Sequence, residues 1–139
     1  MAAKSKPSQT ETRRRRLLSM LSDGEFHSGE ALAKRLRISR GGIWKLVQAL
    51  RALGIDVQSV PRQGYRLAHA VDLLERDAIL KPLAATVRPK VERLDVLLTI
   101  DSTNRYVSDL SETEAGVAQV CLTEVQTAGR GRRGRSWIA

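Results

Sequence analysis

The chain has 139 residues, room for one ordinary domain or two small ones, and a formal charge of +9. Its single cysteine, Cys121, excludes an intramolecular disulfide and points to a reducing compartment. No apolar run approaches the ~20 residues that span a bilayer, and the N-terminus lacks the apolar core of a secretory signal, so the sequence reads as soluble and cytoplasmic with no membrane partner. The charge is uneven. Residues 1–66 hold 14 Lys/Arg against 5 Asp/Glu, and residues 67–139 hold 10 of each. A basic half joined to a balanced half implies two jobs, and nucleic acid is the usual partner of the basic one.

Residues 1–9 are polar and read as a flexible arm. Thr10 and Thr12 offer caps for a first helix that carries Arg13 to Arg16 and then Leu17, Leu18 and Leu21. The arginine run fits either phosphate contact or a solvated helix end. Asp23-Gly24 stops this helix. Ser28 caps a second helix whose apolar face is Ala31, Leu32 and Leu36. After the short turn Arg37-Ile38-Ser39, Ser39 caps a third helix over roughly 40–53. There Ile43, Leu46, Val47 and Leu50 fall at i, i+3, i+4 and i+7, one buried face. The opposite face holds Arg40, Gly41, Gly42, Trp44, Lys45 and Gln48. Such a helix is ~20 Å long and fits a major groove ~12 Å wide.

Two helices joined by a tight turn, the second basic on its outer face, make a helix-turn-helix. Ile55, Val57 and Val60 then alternate with polar residues, Pro61 to Gly64 is a turn, and Tyr65 and Leu67 alternate again. This is a β-hairpin, the wing of a winged helix, and residues 10–67 are expected to form that domain. Arg40, Lys45 and Gln48 are candidates for base or phosphate contacts, with Arg suited to guanine and Gln to adenine. Arg62 and Arg66 are expected to meet the phosphate backbone. Gly41 and Gly42 each weaken the helix by ~1 kcal/mol relative to alanine, which fits close approach to DNA. Trp44 can stack on DNA or a partner, or cover the edge of the core; the core edge is the favoured reading. A three-helix unit with no DNA role is the plain alternative.

The second half opens with a connector, 68–90, in which Asp72 is read as capping a short helix to Leu80. Pro82 and Pro89 punctuate the rest of it. Val91 to Ile100 reads as a strand running into Asp101-Ser102-Thr103-Asn104, with a helix to about Leu110. Val117 to Val125 is the next strand. Its end leads into Gly129 to Arg135, where four arginines and three glycines share seven positions. Glycine lets backbone wrap closely around a ligand, and arginine matches phosphate and carboxylate oxygens, so this loop is suited to close over an anion. In α/β sheets ligands bind where strand ends meet loops and helix starts. Ser102, Thr103 and Asn104, with Gln126, suit an uncharged polar group such as an amide or urea. The tetrapeptide is equally readable as a helix cap alone, and the Arg/Gly run as an RNA-binding tail or a targeting signal. Cys121 reads as a small buried residue. His27 and His69 have no second ligand nearby in sequence, so no metal site is suggested.

Taken together, Asp23 to Glu30, Val60 to Tyr65, Asp101 to Asn104 and Gln126 through Trp137 resemble the bifunctional biotin protein ligases that also repress the biotin operon, from about Leu17 to Trp137. The resemblance implies an α+β protein. A winged helix-turn-helix is followed by the beginning of a mixed α/β ligase domain related to class II aminoacyl-tRNA synthetases, residues 91–139. It implies activation of biotin with ATP and Mg2+ to biotinoyl-5′-AMP, then transfer to a lysine of the biotin carboxyl carrier protein of acetyl-CoA carboxylase. It also implies that the adenylate is corepressor, and that the liganded protein is a homodimer on operator DNA. By the same resemblance Ser102, Thr103, Asn104, Gln126, Arg130, Gly131 and Arg132 line the biotin and adenylate site, with Arg130 and Arg132 in catalysis. Family members carry their catalytic lysine in a later Lys-Trp-Pro-Asn-Asp segment that these residues do not include. The 139 residues alone are therefore expected to bind DNA without turnover, with exposed Leu and Val in the ligase part and a mobile Arg/Gly loop. The rival reading is a non-catalytic DNA-binding regulator with a small-molecule sensing domain.

Overall fold

The computed structural model describes residues 8–131 and 135–137. It divides into two compact units, residues 1–73 and 74–139. Among the described residues no helix is long and apolar enough to cross a membrane.

The first unit begins with α1 (Gln9–Leu21), α2 (Gly29–Leu36) and α3 (Arg40–Ala52). Each starts on a serine whose hydroxyl accepts a first-turn amide at 3.1 Å: Ser8 from Glu11, Ser28 from Ala31, Ser39 from Gly42. This fills one of the donors that a helix start leaves unpaired. The cap of α1 is thus Ser8, not Thr10 or Thr12. Gln9, expected in the N-terminal arm, is the first residue of this helix, and the rest of the arm, residues 1–7, lies outside the described residues. Leu17, Leu21, Leu32, Ile43, Val47 and Leu50 are sealed from solvent and form the core with Leu18, Leu36 and Leu46. The wing is built from β1 (Val57–Val60) and β2 (Gly64–Leu67), antiparallel, with Val57 opposite Leu67 and Val60 opposite Gly64. Val57 and Leu67 turn into the core, while Arg51 of α3 holds the Val57 carbonyl through Nε and a terminal nitrogen, at 2.9 and 2.6 Å.

A third extended segment joins the wing. His27 and Tyr65 exchange backbone hydrogen bonds of 2.8 and 2.9 Å. Gly64 makes this possible. Its φ is +108°, and a β-carbon there would lie 2.0 Å from the His27 carbonyl oxygen. No other residue type permits that backbone approach.

The second unit holds α4 (Arg76–Leu80), a single 3-10 turn at Arg88–Lys90, β3 (Val91–Ile100), α5 (Thr103–Ser108) and β4 (Ala118–Gln126). Strands β3 and β4 pair in parallel, joined through α5 in a βαβ unit. The helix expected from Asp72 begins only after Glu75, whose carbonyl accepts the Ile79 amide at 2.9 Å. The reason is tertiary: the Leu74 amide donates to Glu124 Oε1 at 2.8 Å, which keeps residues before α4 extended. Among the described residues, Leu80, Leu94 and Leu98 are the buried apolar ones here, against twelve in the first unit. Most of β4 is half-covered, and Val87 is exposed. The chain closes with β5 (Gly129–Arg130) paired antiparallel to β6 (Ser136–Trp137).

Candidate functional site

The outer face of α3 carries Arg40, Gly41, Trp44 and Lys45, all exposed, and Gln48, half-exposed. Arg40, at the first turn of α3, and Arg62, at the tip of the wing, line one cleft of about 270 Å³. Ser28, Gly29, Glu30, Ser59 and Tyr65 complete most of its wall. The structure therefore brings two of the five predicted DNA-contacting residues, Arg40 and Arg62, to one cleft and leaves Lys45 and Gln48 on the neighbouring helix surface. Arg62 itself adopts φ +67° to make the wing turn.

One expectation in this unit is corrected, that of Trp44. Arg66, expected at the phosphate backbone, is engaged within the wing: its Nε donates to Gln58 Oε1 at 2.8 Å and its guanidinium lies 4.6 Å from the Phe26 ring centroid. The β2 register sets Arg66 opposite Gln58, so it braces the wing. Trp44 does not cover the core edge, since 55% of its surface is exposed. Arg13 to Arg16 lie within α1, the first three half-buried and Arg16 exposed.

In the second unit the carboxyl ends of the parallel strands gather the other predicted residues. Ser102 is the N-cap of α5 and is 2% exposed. Its hydroxyl accepts the Arg105 amide at 3.5 Å, and its own amide donates to Asp101 Oδ1 at 2.7 Å. Ser102 therefore caps α5 and at the same time lines a cleft. Thr103 and Gln126 are joined: the Thr103 amide and hydroxyl both donate to Gln126 Oε1, at 3.0 and 3.2 Å. This ties the last residue of β4 to the first turn of α5. It also commits the Gln126 carboxamide oxygen and leaves its NH2 as the group to offer a ligand.

After Gln126 the Thr127 and Ala128 amides bond the carbonyls of Ile100 and Asp101 at 2.9 and 2.8 Å. The chain then enters β5, which carries Arg130. Gly129 pairs with Trp137 and Arg130 with Ser136, and the Gly131 amide bonds the Arg135 carbonyl at 2.7 Å. The base of the Arg/Gly loop is therefore a short antiparallel ribbon. Arg132 lies outside the described residues. Ser102, Asn104 and Arg130 face a single open cleft of about 520 Å³, together with Arg105 and Ser108.

Sequence reasoning misses Arg105 and Ser108. The signal is there, because Ser102, Arg105 and Ser108 recur every three residues and so share a helix face. Arg105 NH1 lies 3.4 Å from Asp101 Oδ2 and stays largely exposed.

Helix α5 is held to the sheet from beneath. The Tyr106 hydroxyl donates to Asp95 Oδ2 at 3.1 Å and accepts from Arg93 at 3.2 Å, while Arg93 Nε also pairs with Asp95. Burial pushes the Tyr106 phenol above its ordinary range, and Asp95 pushes the Arg93 guanidinium further up. Cys121 stands opposite Asp95 in the strand register and is half-buried, not fully enclosed. Burial pushes its thiol up, and the Asp95 charge adds to that. A thiol so placed stays protonated near neutrality and is a poor nucleophile. Among the described residues, no group of three His, Cys, Asp or Glu is placed to hold a metal ion.

Residues 13–66 match the HTH domain family, and residues 96–139 match the biotin/lipoate A/B protein ligase family. The chain is thus similar to a helix-turn-helix domain in its first unit and to a biotin/lipoate ligase domain in its second. It is 47% identical to the bifunctional ligase/repressor BirA of Salmonella typhimurium over 124 residues, 88% of this chain and 36% of that protein. BirA of Escherichia coli is 44% identical over 125 residues, 89% of this chain and 36% of its own length. BirA of Bacillus subtilis is 32% identical over 128 residues, 91% and 39% respectively. The chain thus spans little more than a third of the length of these BirA proteins and corresponds to their N-terminal part. The ligase-family match begins within β3 and takes in α5, β4 and the Arg/Gly loop, the elements that converge on the second cleft.

Proposed function

We propose that these residues are the DNA-binding and biotin-recognising portion of a cytoplasmic biotin protein ligase that also represses transcription. One observation carries this reading. Ser102, Thr103 and Gln126 are knit together at the carboxyl ends of two parallel strands, and Arg130 shares the cleft with Ser102. The same chain also holds a winged helix with its basic residues outward.

The chemistry of the site agrees. A ureido group is uncharged and needs both donors and acceptors. Gln126 offers an oriented NH2, and Ser102, whose oxygen already accepts the Arg105 amide, keeps a proton to donate. In the proposed reaction a biotin carboxylate oxygen attacks the α-phosphorus of ATP. The bond to pyrophosphate breaks, and biotinoyl-5′-AMP forms. The amine of a carrier-protein lysine then attacks the acyl carbon, and AMP departs. Arg130, with Arg132, supplies fixed positive charge where phosphate charge shifts, and Gly131 lets the backbone come close. The Mg2+ that this chemistry uses would be carried on the nucleotide phosphates. The adenylate acts as corepressor, ordering the Arg/Gly loop and favouring a homodimer on the operator. The carrier is the biotin carboxyl carrier protein of acetyl-CoA carboxylase.

Two measurements test the two halves. If five or six phosphates are contacted, duplex affinity of the chain falls about 10³-fold between 50 and 200 mM salt; a flat salt response removes the DNA half. On a chain extended through a complete ligase domain, biotin with MgATP gives calorimetric heat and releases pyrophosphate. Arg130→Ala lowers that rate by about 10²-fold. Absence of heat removes the ligase half, and heat without pyrophosphate favours a sensing domain with no catalysis.

A further inference from the structure

Two neighbouring residues on the outer face of α3 have no reason within the fold. At Gly42 a β-carbon would meet Ile38 at 3.2–3.4 Å, so packing accounts for that glycine. At Gly41 the nearest atom is Ser39 Oγ at 3.8 Å, an ordinary contact that alanine would tolerate. Glycine is nevertheless the weaker choice in a helix. One turn on, Trp44 leaves 55% of its surface in solvent, the most exposed of the large apolar side chains among the described residues. Positions 41 and 44 are i and i+3, so the two lie side by side. The result is an indole flanked by a strip of bare backbone.

Around this notch stand Arg40 and Lys45, with Gln48 one turn beyond Trp44 and Arg62 sharing a cleft with Arg40. A second copy of the chain would bring like charges together there. A duplex would bring phosphates to the cations and base edges to the notch. The base edges of the major groove present one apolar group, the thymine 5-methyl.

We propose that Gly41 and Trp44 form a specificity-determining notch that reads a thymine methyl in the major groove. The bare backbone at Gly41 lets α3 sit deep, and the indole packs on the methyl. This rests on the DNA-binding reading above and adds what that reading lacks, a recognised chemical group.

The test uses the 139-residue chain to select duplexes from a randomised pool. The enriched duplex is then remade with deoxyuridine replacing each thymine in turn, which removes only the methyl. At one or two positions the wild-type chain loses about three- to tenfold in affinity. Trp44→Ala and Trp44→Gln bind thymine and deoxyuridine forms equally. Gly41→Ala binds every duplex about tenfold more weakly with an undiminished thermal midpoint. The notch is overturned if the wild-type chain tolerates deoxyuridine everywhere, or if both Trp44 variants keep the methyl preference. If no duplex binds even at low salt, the DNA reading itself fails, and the notch with it.

Discussion

Gly64 bears the attachment of the wing to the helical core. Its neighbour Tyr65 shares two backbone hydrogen bonds with His27, and the Gly64 α-carbon sits against the His27 carbonyl. Gly64→Ala forces a β-carbon into that oxygen at a φ that L-residues rarely adopt. The expected loss is about 2–4 kcal/mol, on the order of 10–20 °C in Tm for a domain this small. A thermal scan showing a loss under about 1 kcal/mol would contradict this account of the wing. A second residue effect concerns acid. The His27 ring nitrogen lies 2.9 Å from an Asp23 oxygen, and this hydrogen bond holds the Asp23 carboxyl below its ordinary value. The unfolded chain therefore takes up the proton at a higher pH than the folded one does. Stability from this group is present above pH ~4 and is lost as pH falls through the depressed folded value. Asp23 is half-exposed, so the contribution is under about 1 kcal/mol. Denaturation of Asp23→Asn and wild type should differ at pH 6 and converge near pH 2.

The helices of the first unit all begin with the same device, a serine accepting a first-turn amide. Ser39→Ala removes it from α3 and should cost ~1 kcal/mol, read as a lower denaturant midpoint with unchanged slope. This device also explains what the sequence disclosed. Helix starts at Ser28 and Ser39, the buried face from Ile43 to Leu50 and the wing turn at Pro61 were legible, because cap and periodicity are local signals. The βαβ order of β3, α5 and β4 was legible for the same reason. Contacts that span the chain were not. Nothing near Phe26 announces that His27 pairs with Tyr65, or that Phe26 receives the Arg66 guanidinium. Nothing near Asp72 announces Glu124, whose carboxylate draws the Leu74 amide out of a helix. In the second cleft, Ser102 and Asn104 were visible as a polar cluster before a helix. Arg105 and Ser108 escape such a reading because a short helix after a cap advertises its start and not its outer face.

At the scale of the molecule, the two units differ in how much apolar surface they enclose. Among the described residues, twelve apolar side chains are buried in the first and three in the second. Burial of apolar surface is the dominant favourable term in folding, so local opening is expected to be easier in the second unit. Amides of Leu17, Leu21, Val47 and Leu50 should exchange with solvent at least tenfold more slowly than those of β3 and β4, and a protease should cut residues 74–139 first. Equal protection across both units would show that the strands draw stability from a source other than their buried leucines.

The exposed indole on α3 also has an optical consequence. The chain's two tryptophans are Trp44 and Trp137, one in each unit. With Trp137→Phe, emission comes from Trp44 alone. It should peak at the long wavelengths typical of hydrated indole and be quenched readily by iodide. Any macromolecule settling on that helix would shift the band to the blue, so the first unit carries its own reporter without an added dye.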